Sequence, residues 1–195
     1  MSTRRTRTGA ALLSTAAATL GVLAGSTPST AASLPAPSSG TAASAGLSAN
    51  VRFVVSENSG KCLTVHGAGH GNNAPVDQYR CVGARNQQWR MEMSGGDTAY
   101  AHVVLRNINS GKCLTVHGAS PRQGAKLDQY TCVGAPNQTF TFKPALLKRT
   151  PLFTQPLSGN KCVDVQGGSK ADNAPVIQWK CKRVRNQEWD LTRRP

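Results

Sequence analysis

From Val51 onward the apolar positions come in short segments. In VRFVV (51–55), KCLTV (61–65), APVDQYRC (74–81) and QQWRM (87–91), β-branched and aromatic residues alternate with polar ones. Between them lie ENSG, GAGHGNN and VGARN, which carry turn chemistry. No segment holds a helical period, so the pattern predicts strands. It then recurs as HVVLRN (102–107), KCLTV (112–116), AKLDQYTC (125–132) and QTFTF (138–142). A third round reads PLFTQ (151–155), KCVDV (161–165), PVIQWKC (175–181) and QEWDL (187–191). Four short strands, three times over, predict twelve.

The repetition extends to the letters. SGKCLTVHGA stands at both 59–68 and 110–119, and SGNKCVDVQG at 158–167. The leading cysteines Cys62, Cys113 and Cys162 are 51 and then 49 residues apart. A fixed period of this size marks an architecture built by repetition, with repeats at about 51–98, 99–148 and 149–195. One four-stranded unit cannot cover its own apolar face. Three must close around a common core.

The first fifty residues are different in kind. Arg4, Arg5 and Arg7 precede an apolar run, GAALLSTAAATLGVLAG at 9–25, and small residues follow. This predicts a secretory signal peptide over 1–32, cut near Thr30-Ala31-Ala32, rather than a membrane span, since the run is short and rich in Ala and Gly. Residues 33–50 are uncharged Pro, Ser, Ala and Gly, which reads as a flexible linker. The folded domain is then 51–195, and the protein is expected to be secreted.

All six cysteines fall in the repeats, 19 residues apart within each: Cys62 and Cys81, Cys113 and Cys132, Cys162 and Cys181. An even count in an exported chain reads as disulfides. Six cysteines allow fifteen pairings. The repeat selects the one that can be made identically three times, within each unit. A bridge closing a loop of this length stabilises by about 3 kcal/mol in a chain-entropy treatment. Metal binding is disfavoured, because no paired C-x-x-C or His cluster has ligand spacing. His66 and His117 follow the repeat and read as structural or surface positions.

These residues carry a resemblance. C-(L/V)-x-V, an aromatic two residues before the second cysteine, and N-Q-x-(W/F) occur three times, the last as Asn86-Gln87-x-Trp89, Asn137-Gln138-x-Phe140 and Asn186-Gln187-x-Trp189. Over nearly all of 51–195 the chain resembles ricin B-type lectin domains, the carbohydrate-binding modules with Q-x-W repeats. The resemblance implies an all-β fold, a β-trefoil with pseudo-threefold symmetry, and binding of galactose, xylose or related sugars in one shallow pocket per repeat. It assigns Trp89, Phe140 and Trp189 to the core, and Tyr79, Tyr130 and Trp179 to stacking against sugar.

The family's sugar-binding Asp lies two residues after the first cysteine. Only the third repeat has it, as Asp164; Thr64 and Thr115 stand in the others. The third repeat thus carries the full set: Asp164 as acceptor, Trp179 as plate, Asn186 as polar partner and Gln187 as buttress of Asp164. Ile177 fills a position where the family has Gln or an aliphatic residue. Repeats one and two have Asp77 and Asp128 where the third has Ile177, on the strand face of Tyr79 and Tyr130. Two readings stay open. Either the carboxylate has moved across the pocket, keeping weaker sites at Asp77, Tyr79 and Asn86 and at Asp128, Tyr130 and Asn137, or these repeats are structural only.

Catalysis is not expected: the chain has nine acidic residues and no H-E-x-x-H, G-x-S-x-G or phosphate loop. No cofactor is implied, and a monomer without a membrane span is expected. The net charge is +14, or 14 − 3 = +11 without the three leader arginines. Basic residues crowd one loop, Lys180, Lys182, Arg183 and Arg185, beside the third pocket. Nucleic acid is a poor partner for an exported chain without interleaved aromatics. An anionic glycan is the better expectation. The rival function is a protein-binding trefoil, inhibitor or toxin-like, with degenerate sugar sites.

Overall fold

The computed structural model describes residues 50–154 and 161–194. The expected leader at 1–32, and the linker at 33–50 apart from Asn50, lie outside the described residues. Among the described residues there are fourteen strands, no α-helix and six three-residue 3-10 turns. Repeat one holds β1 (Val51–Phe53), β2 (Val55–Ser56), β3 (Cys62–Val65), β4 (Ala74–Tyr79) and β5 (Gln88–Gly96). Repeat two holds β6 (Ala101–Asn107), β7 (Cys113–Val116), β8 (Leu127–Tyr130) and β9 (Phe140–Phe142). Repeat three holds β10 (Thr150–Pro151), β11 (Phe153–Thr154), β12 (Lys161–Val165), β13 (Ala174–Lys180) and β14 (Glu188–Asp190). This is a β-trefoil.

Fourteen strands replace the expected twelve because two first strands break. VRFVV divides at Val54 and PLFTQ at Leu152, both fully buried. Val54 and Leu152 accept hydrogen bonds from Leu63 and Val163 of the next strand, so the chain switches partners there. Repeat two needs no break: β6 runs straight through Leu105 and pairs with β5, β7 and β9.

The core gathers the same positions from each repeat. Leu63, Leu114 and Val163 follow the first cysteine, and Val65, Val116 and Val165 lie two further along the strand face. Trp89, Phe140 and Trp189 pack among them with no exposed surface. Trp89 Nε1 donates to Leu63 O at 2.9 Å and Trp189 Nε1 to Val163 O at 3.1 Å. Phe140 keeps the apolar volume without that donor. Cys62 is bonded to Cys81, Cys113 to Cys132 and Cys162 to Cys181, clamping each hairpin at its open end.

Repeats are tied to each other by one glutamine apiece. Gln78, Gln129 and Gln178 are fully buried. Gln78 Nε2 donates to Ser169 O and Ala171 O of repeat three. Gln129 Nε2 donates to Gly69 O and Gly71 O of repeat one. Gln178 Nε2 donates to Ser120 O and Arg122 O of repeat two. Buried amides satisfied in this way fix a loop from one repeat against the hairpin of another.

Candidate functional site

Each hairpin supports one pocket, and the register explains its contents. Thr64 pairs with Asp77, Thr115 with Asp128 and Asp164 with Ile177. Two residues along, on the same face, come Tyr79, Tyr130 and Trp179. After the first strand of each hairpin the chain makes a 3-10 turn, HGA, HGA or QGG, whose central Gly67, Gly118 or Gly167 has φ near 60° (57°, 59° and 65°). That left-handed conformation suits glycine and turns the chain back over the pocket. Asn86, Asn137 and Asn186 enter from the opposite side, each donating to a backbone carbonyl, of Val65, Val116 or Val165.

The third pocket brings together Asp164, Ile177, Trp179, Asn186 and Gln187 around a cavity of about 580 Å³. Asp164 is 5 % exposed and accepts from Gln187 Nε2 at 2.7 Å. Burial raises its carboxyl above the ordinary range, opposed by hydrogen bonds from Gln187 and Asn186 and by the charge of Lys182. Trp179 keeps 36 % of its surface open. Gln187 is spent on structure: its Oε1 accepts from Lys182 N and its Nε2 also donates to Lys180 O. It supports Asp164 and pins the basic loop rather than facing solvent.

Pockets one and two keep a carboxylate on the other strand. Thr64 Oγ1 donates to Cys62 O and accepts from Gln87, and Thr115 does likewise with Cys113 O and Gln138, so neither hydroxyl donates into the pocket. Asp77 Oδ2 lies 2.6 Å from His66 Nδ1, and Asp128 Oδ2 2.5 Å from His117 Nδ1. An ionised carboxylate only accepts, so these ring nitrogens carry the hydrogen. Burial raises both carboxyls, and the histidine hydrogen bonds oppose it. Their Oδ1 atoms are buried without a partner among the described residues. His66 and His117, read from the sequence as structural or surface positions, are both exposed, and each also lines its pocket and holds the carboxylate there, a contact the sequence reading did not foresee. The signal was their match to Gln166, the residue at the same place in the repeat that lacks the second-strand Asp.

A wall of each pocket comes from a different repeat. Asn173 lines pocket one and Asn73 pocket two, both in the left-handed conformation at φ 62° and 63°. Gly124 takes this place in pocket three at φ 80°. The backbone N–H of Asn173, Asn73 and Gly124 donates to Gln78, Gln129 and Gln178 respectively. A Cβ at Gly124 would stand 3.6 Å from Trp179. The missing side chain accompanies the larger cavity, about 580 Å³ against about 420 and 340 Å³. Sequence reasoning missed this wall and the glutamines beneath it, although Gln78, Gln129 and Gln178 stand unchanged in all three repeats.

Among the described residues no group of three His, Cys, Asp or Glu side chains could hold a metal. No helix there is long and apolar enough to cross a membrane.

The family of ricin-type beta-trefoil lectin domain-like sequences matches residues 44–104 and 97–179. No curated protein sequence matches. Among solved structures, the designed threefold-symmetric protein ThreeFoil is 35 % identical, with 73 % of this chain and 97 % of that one covered and a TM-score of 0.67. An exo-beta-1,3-galactanase from Clostridium thermocellum is 30 % identical over 73 % of this chain but only 30 % of its own, with a TM-score of 0.67. A Macrolepiota procera ricin B-like lectin in complex with lactose is 22 % identical, covering 74 % of this chain and 95 % of its own at a TM-score of 0.58, and shows the shared fold. With three Q-x-W-type repeats, three equivalent pockets and this match over most of the domain, the chain belongs to the ricin-type β-trefoil lectin domain-like family.

Proposed function

We propose that the protein is a secreted, monomeric lectin that binds galactose, xylose or a related sugar, chiefly in the third pocket, and that it is a binding protein rather than an enzyme. The observation that carries this reading is the pairing of buried Asp164 with half-open Trp179 across one cavity. A sugar offers vicinal hydroxyls and an apolar C–H face. The carboxylate accepts from the hydroxyls in charge-assisted hydrogen bonds, and the indole covers the face. Lys182 stands on the rim where the sister repeats have Val82 and Val133, so the bound sugar carries or adjoins a negative group. Pockets one and two, with Asp77 and Asp128 on the other strand, are weaker sites of the same kind.

The test is a glycan array and a polysaccharide pull-down with the wild type and Asp164→Asn. Retention of the wild type on galactose- or xylose-containing polymers, lost in the variant, is the expected result. A wild type that ignores every glycan and instead captures a protein partner favours the inhibitor- or toxin-like reading.

A further inference from the structure

A cavity of about 520 Å³ lies outside the three repeat pockets and shares only Gln187 with the third. Its lining includes Lys143, Arg149 and Arg183 and one carboxylate, Glu188. Arg149 Nε also lies 3.9 Å from Glu57. Lys143 and Arg183 have no ion-pair partner among the described residues. Beside Leu146, Pro151 and the Cys162–Cys181 bridge the lining carries an aromatic pair: Tyr100, 40 % exposed, meets Phe153 edge to face at 6.1 Å, and Lys143 Nζ sits 5.4 Å from the Tyr100 ring centre.

The backbone singles out the two arginines. Arg149 and Arg183 adopt φ of 53° and 54°, and they are the only charged residues in the left-handed region among the described residues. That region disfavours any side chain with a Cβ. At the place of Arg183, repeats one and two use Gly83 and Gly134, at φ 76° and 69°. Repeat three therefore holds an arginine in a conformation its sisters give to glycine, and the side chain lines a cavity already holding two cations. Strain retained in this manner clusters at ligand sites.

We infer that this cavity is a separate binding site for an acidic saccharide residue, one bearing a carboxylate or a sulfate ester. The guanidinium groups of Arg183 and Arg149 and the ammonium of Lys143 take the anion, and the Tyr100–Phe153 wall takes the apolar sugar face. The inference rests on the reading of the protein as a lectin. Consecutive residues serve the two sites: Lys182 lines the third pocket and Arg183 this cavity.

Calorimetric titration with trigalacturonic acid, its methyl ester and a sulfated galactan trimer tests it. The wild type should bind one or both acidic trimers at least about tenfold more tightly than the ester. Arg183→Gly installs the residue of the sister repeats, so its melting temperature should not fall, and the acid binding that survives in Asp164→Asn should weaken at least about tenfold when the two changes are combined. Lys143→Gln should weaken the same binding without touching the backbone. Lys170→Ala removes a unit of charge elsewhere and should leave the preference intact. Asp164→Asn should lose neutral galactan yet keep the acidic trimer. The proposal is overturned if the wild type binds neither acidic trimer better than the ester, if Arg183→Gly and Lys143→Gln match the wild type, if Lys170→Ala loses as much as they do, or if Asp164→Asn abolishes acid binding. Acid binding left whole by Asp164→Asn, in a protein that binds no glycan through the third pocket, would count against the proposed function and leave this site standing.

Discussion

Asp77 faces Thr64 directly across the β3–β4 ladder, and Asp164 faces Ile177 across β12–β13. The two hairpins thus hold their carboxylates on opposite strands of the same cross-strand pair. The residue on the following turn changes in step, His66 beside the second-strand acid and Gln166 beside the first-strand one. In repeats one and two the carboxylate stands on the second strand, held by His66 or His117.

Asp164→Asn should weaken sugar binding in the third pocket by about 1.5–3 kcal/mol, roughly ten- to a hundredfold, without loss of fold. Asp77→Asn and Asp128→Asn should leave that binding unchanged. Calorimetry on the three variants decides it. An unaffected Asp164 variant beside inactive Asp77 or Asp128 variants would move the working sites to repeats one and two.

Gly124→Asn should narrow the third pocket. Asn73 and Asn173 show that asparagine is tolerated in this left-handed conformation, so thermal stability should hold. Affinity for an oligosaccharide should fall more than affinity for its terminal monosaccharide, because the larger ligand needs more of the cavity that the added side chain, beside the Trp179 ring, takes up. Equal losses for both ligands would contradict this.

Trp189→Ala should cost about 3–5 kcal/mol as a core truncation and be read as a lowered denaturation midpoint. Trp89→Phe should be far milder. Phe140 already fills the equivalent place, and the change mainly leaves Leu63 O without its indole donor, worth about 1 kcal/mol.

Low pH should separate binding from stability. Burial raises the carboxyls of Asp77, Asp128 and Asp164 above the unfolded value of about 3.9. Each is easiest to bury when protonated. Its favourable contribution is complete below the unfolded pKa and is lost as pH rises through the raised folded pKa. Sugar binding needs the ionised Asp164 and should run the other way, weakening as pH falls through that raised value. Binding isotherms between neutral pH and pH 4 should show this in the wild type, with the slope reduced in Asp164→Asn.

The fold was legible because it is repeated. Three copies of one strand pattern, with cysteines in register, leave few ways to close a core. Trp89, Phe140 and Trp189 pack in the interior, and Asp164, Trp179 and Asn186 converge on one cavity. The relations that stayed hidden depend on contacts between distant parts of the chain. His66 meets Asp77 only because the hairpin register brings them together. Asn173 reaches pocket one because Gln78 anchors its loop from below. The breaks at Val54 and Leu152 follow from a change of strand partner, which local periodicity does not record.

The borrowed walls have an evolutionary and practical consequence. Repeat three completes the pocket of repeat one, repeat one that of repeat two, and repeat two that of repeat three. The unit of recognition is therefore not the unit of duplication. A one-repeat fragment contains every residue of its own hairpin and still lacks a side of its pocket, so each pocket is complete only once the ring closes. A turn altered in one copy reshapes the pocket of another, as Gly124 of repeat two does for the pocket of repeat three.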